Sequence, residues 1–206
     1  ELQIRSNHKR KKTLNHDKLD FSSEYIFIPF QVNFDSQVII NSPRVNSMLA
    51  FYNMLLKVVD AIEDKEVFFV IKEHPSDPRA YHQLHGKHPR IKFTSNNTEA
   101  LIRNAKAIIT LNSSVGVEAA MLEKKVIVVG DACYAIEGMV LNAKNEDELV
   151  KVINNSNLWE PNLKVIHSFF TYLTKEYCLP GAWQNQHVVD KKHLTEFNKK
   201  ISCSLN

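Results

Sequence analysis

The fold of this 206-residue chain is decided by Val70-Ile71-Lys72-Glu73-His74-Pro75 together with Asn112-Ser113-Ser114-Val115-Gly116-Val117-Glu118-Ala119-Ala120. Each stretch marks the point where an apolar, β-branched run stops at polar residues. The first run ends at the basic pair Lys72 and His74, and the second at hydroxyls that open a predicted helix. In an open α/β sheet, ligands bind outside the carboxyl ends of the strands. We therefore predict that both endings converge on one anionic ligand, and a nucleotide-type donor is the leading hypothesis.

Apolar runs alternate with amphipathic segments along the chain. Buried strands are predicted at 25–30, 66–71, 91–93, 107–111 and 125–129, and helices at 47–62, 98–103, 114–123, 145–154 and 160–177. Strands that alternate with helices, and that are apolar throughout, predict an α/β fold: a Rossmann-like, mostly parallel sheet with helices on both faces. We expect residues 1–23 to be a linker or N-terminal extension and residues 24–206 to form one domain with C-terminal helices.

Composition excludes several protein classes. No apolar run approaches the roughly 20 residues of a membrane span, and the basic start is not followed by the apolar segment of a signal peptide. The three cysteines form no CxxC or CxxH pair, so neither a zinc site nor a disulfide framework is expected, and a reducing compartment fits better. The basic run at 8–12 is interpreted as solvated linker rather than a polyanion or membrane-surface contact, because no aromatics interleave with it. A chain that begins with Glu1 fits a piece of a longer protein.

Phosphate binding without a glycine-rich loop is the chemistry that the second stretch suggests. The chain has 5 glycines and neither a GxGxxG nor a Walker motif. A helix start offers free backbone N–H groups and a positive dipole end to an anion. Ser113 and Ser114 supply hydroxyls there, and Gly116 would permit close approach. The alternative is that one serine is an ordinary N-cap and that Gly116 is a packing glycine.

Three further side chains extend this hypothesis. Glu118 lies on the same helix face as Ser114 and could accept hydrogen bonds from ribose hydroxyls, although the helix dipole alone also favours a carboxylate there. Lys72 and His74 alternate along an extended segment and therefore point to the same side. Together they would stabilise the charge that grows on a departing phosphate. The other histidines of this region, His82, His85 and His88, are expected on the surface.

Polar residues after the first strand would overhang the same crevice. Asp35 could serve as a nucleophile or a base, although spacing alone favours a turn residue. Asp131, after the last predicted strand, is a weaker candidate of the same kind. Because no DxD-type pair follows a strand, we expect a metal-independent site.

The ordered set of motifs resembles one family, the bacterial capsular polysaccharide synthesis glycosyltransferases, which are retaining β-Kdo transferases that use CMP-Kdo. The resemblance covers most of residues 25–183. The motifs that carry it are Pro29-Phe-Gln31, Asp35-Ser-Gln37, Ser42-Pro43, Lys72-Glu-His74-Pro75, Asn112 to Ala119, Gly130-Asp-Ala-Cys-Tyr134-Ala-Ile-Glu-Gly138 and a late segment from Phe169 to Gly181.

The resemblance implies the C-terminal donor-binding half of a GT-B-like enzyme, whose preceding N-terminal domain binds a glycan or glycolipid acceptor. Lys72 and His74 would face the CMP phosphate, Asn112, Ser113, Ser114, Gly116 and Glu118 would hold phosphate and ribose, and Asp35 would attack the anomeric carbon. No cofactor, metal or nucleic acid is implied, and the location would be cytoplasmic, with peripheral contact to the inner membrane. A sialyl- or glycerol-phosphate transferase with a CMP-linked donor, or a non-catalytic capsule export or scaffold protein, is the alternative.

Overall fold

The computed structural model describes residues 18–78 and 81–178. Its centre is a six-stranded sheet in which every pairing is parallel and the strand order is β3-β2-β1-β4-β5-β6. The strands are β1 Tyr25–Pro29, β2 Phe68–Lys72, β3 Ile91–Phe93, β4 Ala107–Thr110, β5 Val126–Val128 and β6 Leu141–Asn142. The predicted α/β fold with a parallel sheet is confirmed.

Helices connect β1 to β2, β3 to β4 and β4 to β5, and polar caps fix where several of them begin. They are α1 Ser36–Ile40, α2 Met48–Ala61, α3 Thr98–Asn104, α4 Ser114–Met121, α5 Glu146–Asn155 and α6 Leu163–Tyr172. The Ser47 hydroxyl accepts a hydrogen bond from the backbone N–H of Ala50 at the start of α2. Asn97 and Asn145 cap α3 and α5 through the same third-residue bond. Each cap satisfies a backbone donor that would otherwise lack a partner.

The chain divides at Asn162 and Leu163 into two compact units. The first unit contains the sheet and α1 to α5. In the second unit, α6 continues into a π-helical segment, Leu173–Tyr177, so the last predicted helix is real but begins at Leu163 and changes geometry in its last turn. Among the described residues, no helix combines the length and the apolar character needed to cross a membrane.

Alternation along the strands assigns their side chains to two faces of the sheet. Ile26, Ile28 and Ile71 lie in the apolar core that also contains the buried sides of α2 and α5. Their neighbours point to the opposite face, where the Tyr25 hydroxyl donates to the carbonyl of Leu101 in α3 at 2.8 Å. Helices therefore cover both faces of the sheet, and Lys72 at the end of β2 lies on the α3 face.

Two short elements of the structure are not predicted by the hydrophobic periodicity of the sequence. Residues 36–40 form α1, which the Asp35 carboxylate caps, whereas the sequence indicates only a polar loop there. Residues 141–142 form β6 at the sheet edge, paired through Leu141 with Ile127. Neither element is long enough to show a repeating pattern. Residues 1–17, which include the basic run, lie outside the described residues, and the backbone of Leu19 is hydrogen-bonded to the side chain of Asn96.

Candidate functional site

The carboxyl ends of β2, β1 and β4 lie side by side at one edge of the sheet. Pro29 pairs with Lys72, and the backbone N–H of Phe30 donates to the Lys72 carbonyl at 2.9 Å. On the other side of β1, the Gln31 side-chain amide donates to Asn112 Oδ1 at 2.9 Å. Neighbouring strands are about 4.8 Å apart, so the ends of β2 and β4 are separated by roughly 10 Å, with the end of β1 between them. The structure thus brings both predicted strand endings to one edge.

His74 stands at this edge with its ring half-buried. Its Nδ1 accepts a hydrogen bond from the backbone N–H of Ser76 at 3.1 Å. An acceptor at Nδ1 places the proton of the neutral imidazole on Nε2, which is then a donor. His74 is therefore oriented by its own loop and presents an N–H group rather than a lone pair to whatever lies beyond it.

Lys72 is half-buried beside the start of α3. Its ammonium donates to the Thr98 hydroxyl at 2.7 Å, and burial lowers the pKa of Lys72 from its ordinary value. An ammonium has three donors, and this bond uses one of them. Lys72 can therefore contribute a further donor and a partly desolvated positive charge on the α3 side of the edge.

The start of α4 is held by hydrogen bonds from three directions. The Ser113 hydroxyl caps the helix by accepting from the backbone N–H of Val115 at 3.2 Å, and the backbone N–H of Ser113 donates to the Thr110 hydroxyl. The Tyr134 hydroxyl donates to the Ser113 carbonyl at 2.6 Å. Ser114 in the first turn and Glu118 one turn later are exposed. Ser113 is thus an N-cap, while Ser114 and Glu118 face outward.

The side chain of Tyr134 occupies the space that a side chain at position 116 would need. A Cβ on Gly116 would collide with the Tyr134 hydroxyl and would lie 2.7 Å from its Cζ. Both residues are buried, and burial raises the pKa of the Tyr134 hydroxyl. Of the two interpretations of Gly116, the packing glycine describes this geometry: the close approach that it permits is made by the protein's own tyrosine. The approach of a ligand to the Gly116 backbone stays a prediction.

Asn112 is buried, and its side chain connects the loops of the site. Its Oδ1 accepts from Gln31, and its Nδ2 lies within hydrogen-bond distance of the Gln37 carbonyl at 2.8 Å and the Ser42 hydroxyl at 3.1 Å. The carbonyls of Asn41 and Asp131 are at 3.2 and 3.3 Å. The amide is therefore engaged by protein groups and positions these loops, and the direct contact of Asn112 with a donor stays a prediction.

Asp35 is half-buried and caps α1, with Oδ1 accepting from the backbone N–H of Gln37 at 2.9 Å. The loop that holds Asp35 is fastened to the site through the contact between Gln37 and Asn112. Asp35 therefore fulfils the role of a turn residue while remaining at the functional edge. The histidines expected on the surface divide: His82 is exposed, whereas His85 is half-buried and stacks on Phe93 at a centroid distance of 4.1 Å.

A second feature of this edge was missed in the sequence. A cleft of about 780 Å³ lies beyond β5 and β6. It is lined by residues 42–45, by residues 128–132 with Ala135, and by Asn142 and Lys144. The signals that pointed to it were the Ser42-Pro43 motif and the segment that begins at Gly130 and Asp131. In residues 18–78 and 81–178, no three His, Cys, Asp or Glu side chains are placed to hold a metal ion.

Comparison with known proteins identifies the family. The sequence model of the capsule polysaccharide biosynthesis protein family matches residues 2–181. The chain belongs to this family. The resemblance that the motifs indicated is thereby confirmed.

Individual members of the family are longer than this chain. Protein FixF of Sinorhizobium fredii is 36% identical over 166 residues, which cover 80% of this chain and 40% of that protein. The capsule polysaccharide export protein KpsS of Escherichia coli is 31% identical over 140 residues, or 63% of this chain and 36% of that protein. The chain thus spans about two fifths of the length of these relatives. A KpsC β-Kdo 2,4 transferase structure from Thermosulfurimonas dismutans matches 71% of this chain and 52% of its own at 20% identity, with a TM-score of 0.49.

Proposed function

We propose that this domain binds the CMP-activated donor of a capsule-type glycosyltransferase and that the complete protein transfers Kdo, or a related acidic sugar, to a glycan or glycolipid with retention. Membership of the capsule family supports the general assignment. The observation that carries the specific one is the alignment of three strand endings, in which His74, the Asp35 loop and the start of α4 occupy one edge.

The donor phosphate would lie between His74 and α4. The Nε2 proton of His74, the ammonium of Lys72 and the first N–H groups of α4 all favour an anion there. These groups would also stabilise the charge that develops on the phosphate as it leaves, which is the contribution a metal ion makes in other transferases. Ser114 would add a hydroxyl to the phosphate, and Glu118 would accept hydrogen bonds from the ribose.

Retention is compatible with two successive displacements at the anomeric carbon. In the first, an Asp35 oxygen forms a bond to this carbon while the carbon–oxygen bond to the phosphate breaks and CMP leaves with the electron pair. In the second, an acceptor hydroxyl attacks the same carbon, loses its proton to a base and displaces the carboxylate. Asp35 enters this scheme as the candidate nucleophile because its carboxylate lies in the segment that follows β1.

The location and the acceptor belong to the same proposal. The acceptor would bind on a preceding N-terminal domain, in the cytoplasm, with peripheral contact to the inner membrane. Similarity to KpsS, a capsule polysaccharide export protein, favours one alternative, a capsule export or scaffold role in which the fold binds a nucleotide without turnover. A sialyl- or glycerol-phosphate transferase would differ only in the CMP-linked or CDP-linked donor that it uses.

The test compares binding with turnover. CMP binding to this chain is measured by calorimetry, and release of CMP from CMP-Kdo, CMP-sialic acid and CDP-glycerol is measured with the full-length protein. We expect His74→Ala to weaken CMP binding about tenfold, because it removes a charge-assisted hydrogen bond. Asp35→Asn should abolish turnover while leaving CMP binding intact.

Matched controls are available on the same surfaces. His82→Ala removes an exposed histidine from the loop that follows β2, and Asp147→Asn removes an exposed carboxylate from α5; both should behave as wild type. CMP binding without turnover of any donor would support the export or scaffold role. Failure of the wild-type chain to bind CMP would refute the proposal.

A further inference from the structure

The cleft beyond β5 and β6 adjoins the proposed donor site without being part of it. Asn112, the residue before the α4 cap, contacts Ser42 Oγ at 3.1 Å and the Asp131 carbonyl at 3.3 Å, and both residues line the cleft. Gly130 allows these loops to close up, since a Cβ there would lie 2.5 Å from Ser42 Oγ. The cleft therefore begins where the phosphate region ends.

The lining of the cleft combines charge with an apolar floor. Two cations, Arg44 and Lys144, and one carboxylate, Asp131, line it together with the amide of Asn142. All four residues are exposed. Buried or half-buried aliphatic residues lie beneath them: Val45, Val128, Val129, Ala132 and Ala135. No aromatic residue belongs to the lining in the described part of the chain, so the cleft offers no platform on which a nucleobase could stack.

The two cations lie near a carboxylate that is already engaged. Glu148 accepts the backbone N–H of Lys144 at 2.8 Å and the side-chain amide of Asn145 at 2.9 Å. The first of these bonds is the main reason that the pKa of Glu148 is lowered, and the charges of Lys144 and Arg44 lower it further. The guanidinium and ammonium groups thus share one neighbourhood beside the cleft.

We propose that this cleft binds the carboxylate of a sugar acid. The planar fork of Arg44 matches a carboxylate in two parallel hydrogen bonds, and Lys144 adds a second charge. Asp131 and Asn142 provide acceptors for sugar hydroxyls, while the aliphatic floor packs against the ring carbons. The proposal rests on the proposed function in that the sugar acid is either the donor's own sugar or the last sugar of the acceptor glycan.

The experiment uses free Kdo as the probe, so that it does not depend on CMP. Binding of Kdo to this chain is measured by NMR titration for the wild type and for Arg44→Gln, Lys144→Gln and Lys151→Gln. Lys151 is an exposed lysine of α5 that does not line the cleft, and its variant is the matched control. We expect the two cleft variants to weaken Kdo binding about tenfold, the control to equal the wild type, and the uncharged methyl ester of Kdo to bind the wild type no better than Kdo binds the variants.

The affinities for CMP-Kdo and for CMP then show whether the sugar acid in the cleft belongs to the donor or to the acceptor. If the donor's sugar occupies the cleft, the cleft variants lose affinity for CMP-Kdo and keep their affinity for CMP. If the acceptor's sugar occupies it, both affinities are unchanged and free Kdo still binds protein saturated with CMP-Kdo. Equal Kdo binding by the wild type and both cleft variants, or an equal loss in Lys151→Gln, would overturn the proposal. If the wild-type chain binds Kdo but not CMP, the proposed donor site is refuted, and the Kdo titration still tests the cleft on its own.

Discussion

The edge formed by β2, β1 and β4 differs from the cleft beyond β5 and β6 in how its polar groups are used. At the edge, Asn112, Ser113 and Lys72 all make hydrogen bonds within the protein. In the cleft, the charged ends of Arg44 and Lys144 are exposed above an aliphatic floor. The polar groups of the edge fix the geometry of its loops, whereas those of the cleft are open to solvent or to a ligand.

This difference suggests a division of labour. Groups that must hold a phosphate at a reacting centre need fixed positions, because stabilisation of developing charge depends on donors that do not reorganise. Groups that only recognise a substrate can remain mobile until it binds, at some cost in side-chain entropy. Substitutions at the edge should therefore change the stability of the fold, whereas Arg44→Gln in the cleft should change it by no more than about 0.5 kcal/mol.

The largest expected effect comes from Gly116→Val. The new side chain would occupy the space of the buried Tyr134 ring, and overpacking of this kind costs about 1–3 kcal/mol, sometimes more. We expect about 3 kcal/mol less free energy of unfolding, measured by urea denaturation, and a parallel loss of CMP binding because the hydrogen bond from Tyr134 to the α4 cap is broken.

The double variant Gly116→Val with Tyr134→Ala separates this steric effect from a general intolerance of α4. Removing the ring should make the valine less costly, so the two losses in stability should sum to more than the double variant loses. Strict additivity would show that Tyr134 is not the reason for the glycine.

Asn112→Ala is expected to have the next largest effect. It leaves the buried Gln31 amide without its acceptor and removes one of the two donors to the Gln37 carbonyl, which keeps the backbone N–H of Asn41. Unpaired buried groups cost about 1–3 kcal/mol, so a loss of about 2 kcal/mol in the free energy of unfolding should appear in the same denaturation experiment. If Asn112→Ala is as stable as the wild type, the hydrogen bonds of Asn112 do not hold the edge in place. Arg44→Gln is the control in the cleft, and its stability should stay close to that of the wild type.

The role of Asn112 marks the limit of what the sequence predicts. Long apolar runs and a helix with apolar residues at every third or fourth position are enough to predict the strands and α2, because burial on one side imposes that spacing. Alternation along an extended chain likewise predicts that Lys72 and His74 lie on one side. A hub such as Asn112 depends on contacts with residues 70 to 81 positions away in sequence, and local patterns contain no information about them.

The cleft is missed for the same reason. Its lining comes from residues 42–45, from residues 128–132 with Ala135, and from Asn142 and Lys144, and β6 has two residues. An element this short forms because Leu141 and Asn142 pair with β5, rather than because of their own propensity. Arg44 and Lys144 look like ordinary surface charges until the sheet brings their loops together. Site residues that follow long buried strands are therefore predictable from the sequence, and those that follow short edge strands are not.

The smallest effect, and the one that sharpens the comparison most, is expected for Lys72→Met. Burial lowers the pKa of Lys72, so the charged form is less favourable in the folded protein than in the unfolded chain. This penalty is fully present below the folded pKa and disappears as pH rises through the ordinary value of about 10.4, because over that interval the unfolded chain binds more protons. Near neutral pH, Lys72→Met should therefore gain stability, by less than about 1 kcal/mol because the group is only partly buried.

The same variant should bind CMP more weakly, since the ammonium near the phosphate position is gone. Denaturation at pH 7 and pH 10 measures the stability gain, which should shrink at the higher pH, and calorimetry with CMP measures the loss of affinity. A lysine that costs stability and serves binding is what a functional edge requires. If Lys72→Met instead loses stability and binds CMP normally, the bond from Lys72 to Thr98 is structural, and Lys72 no longer belongs to the site.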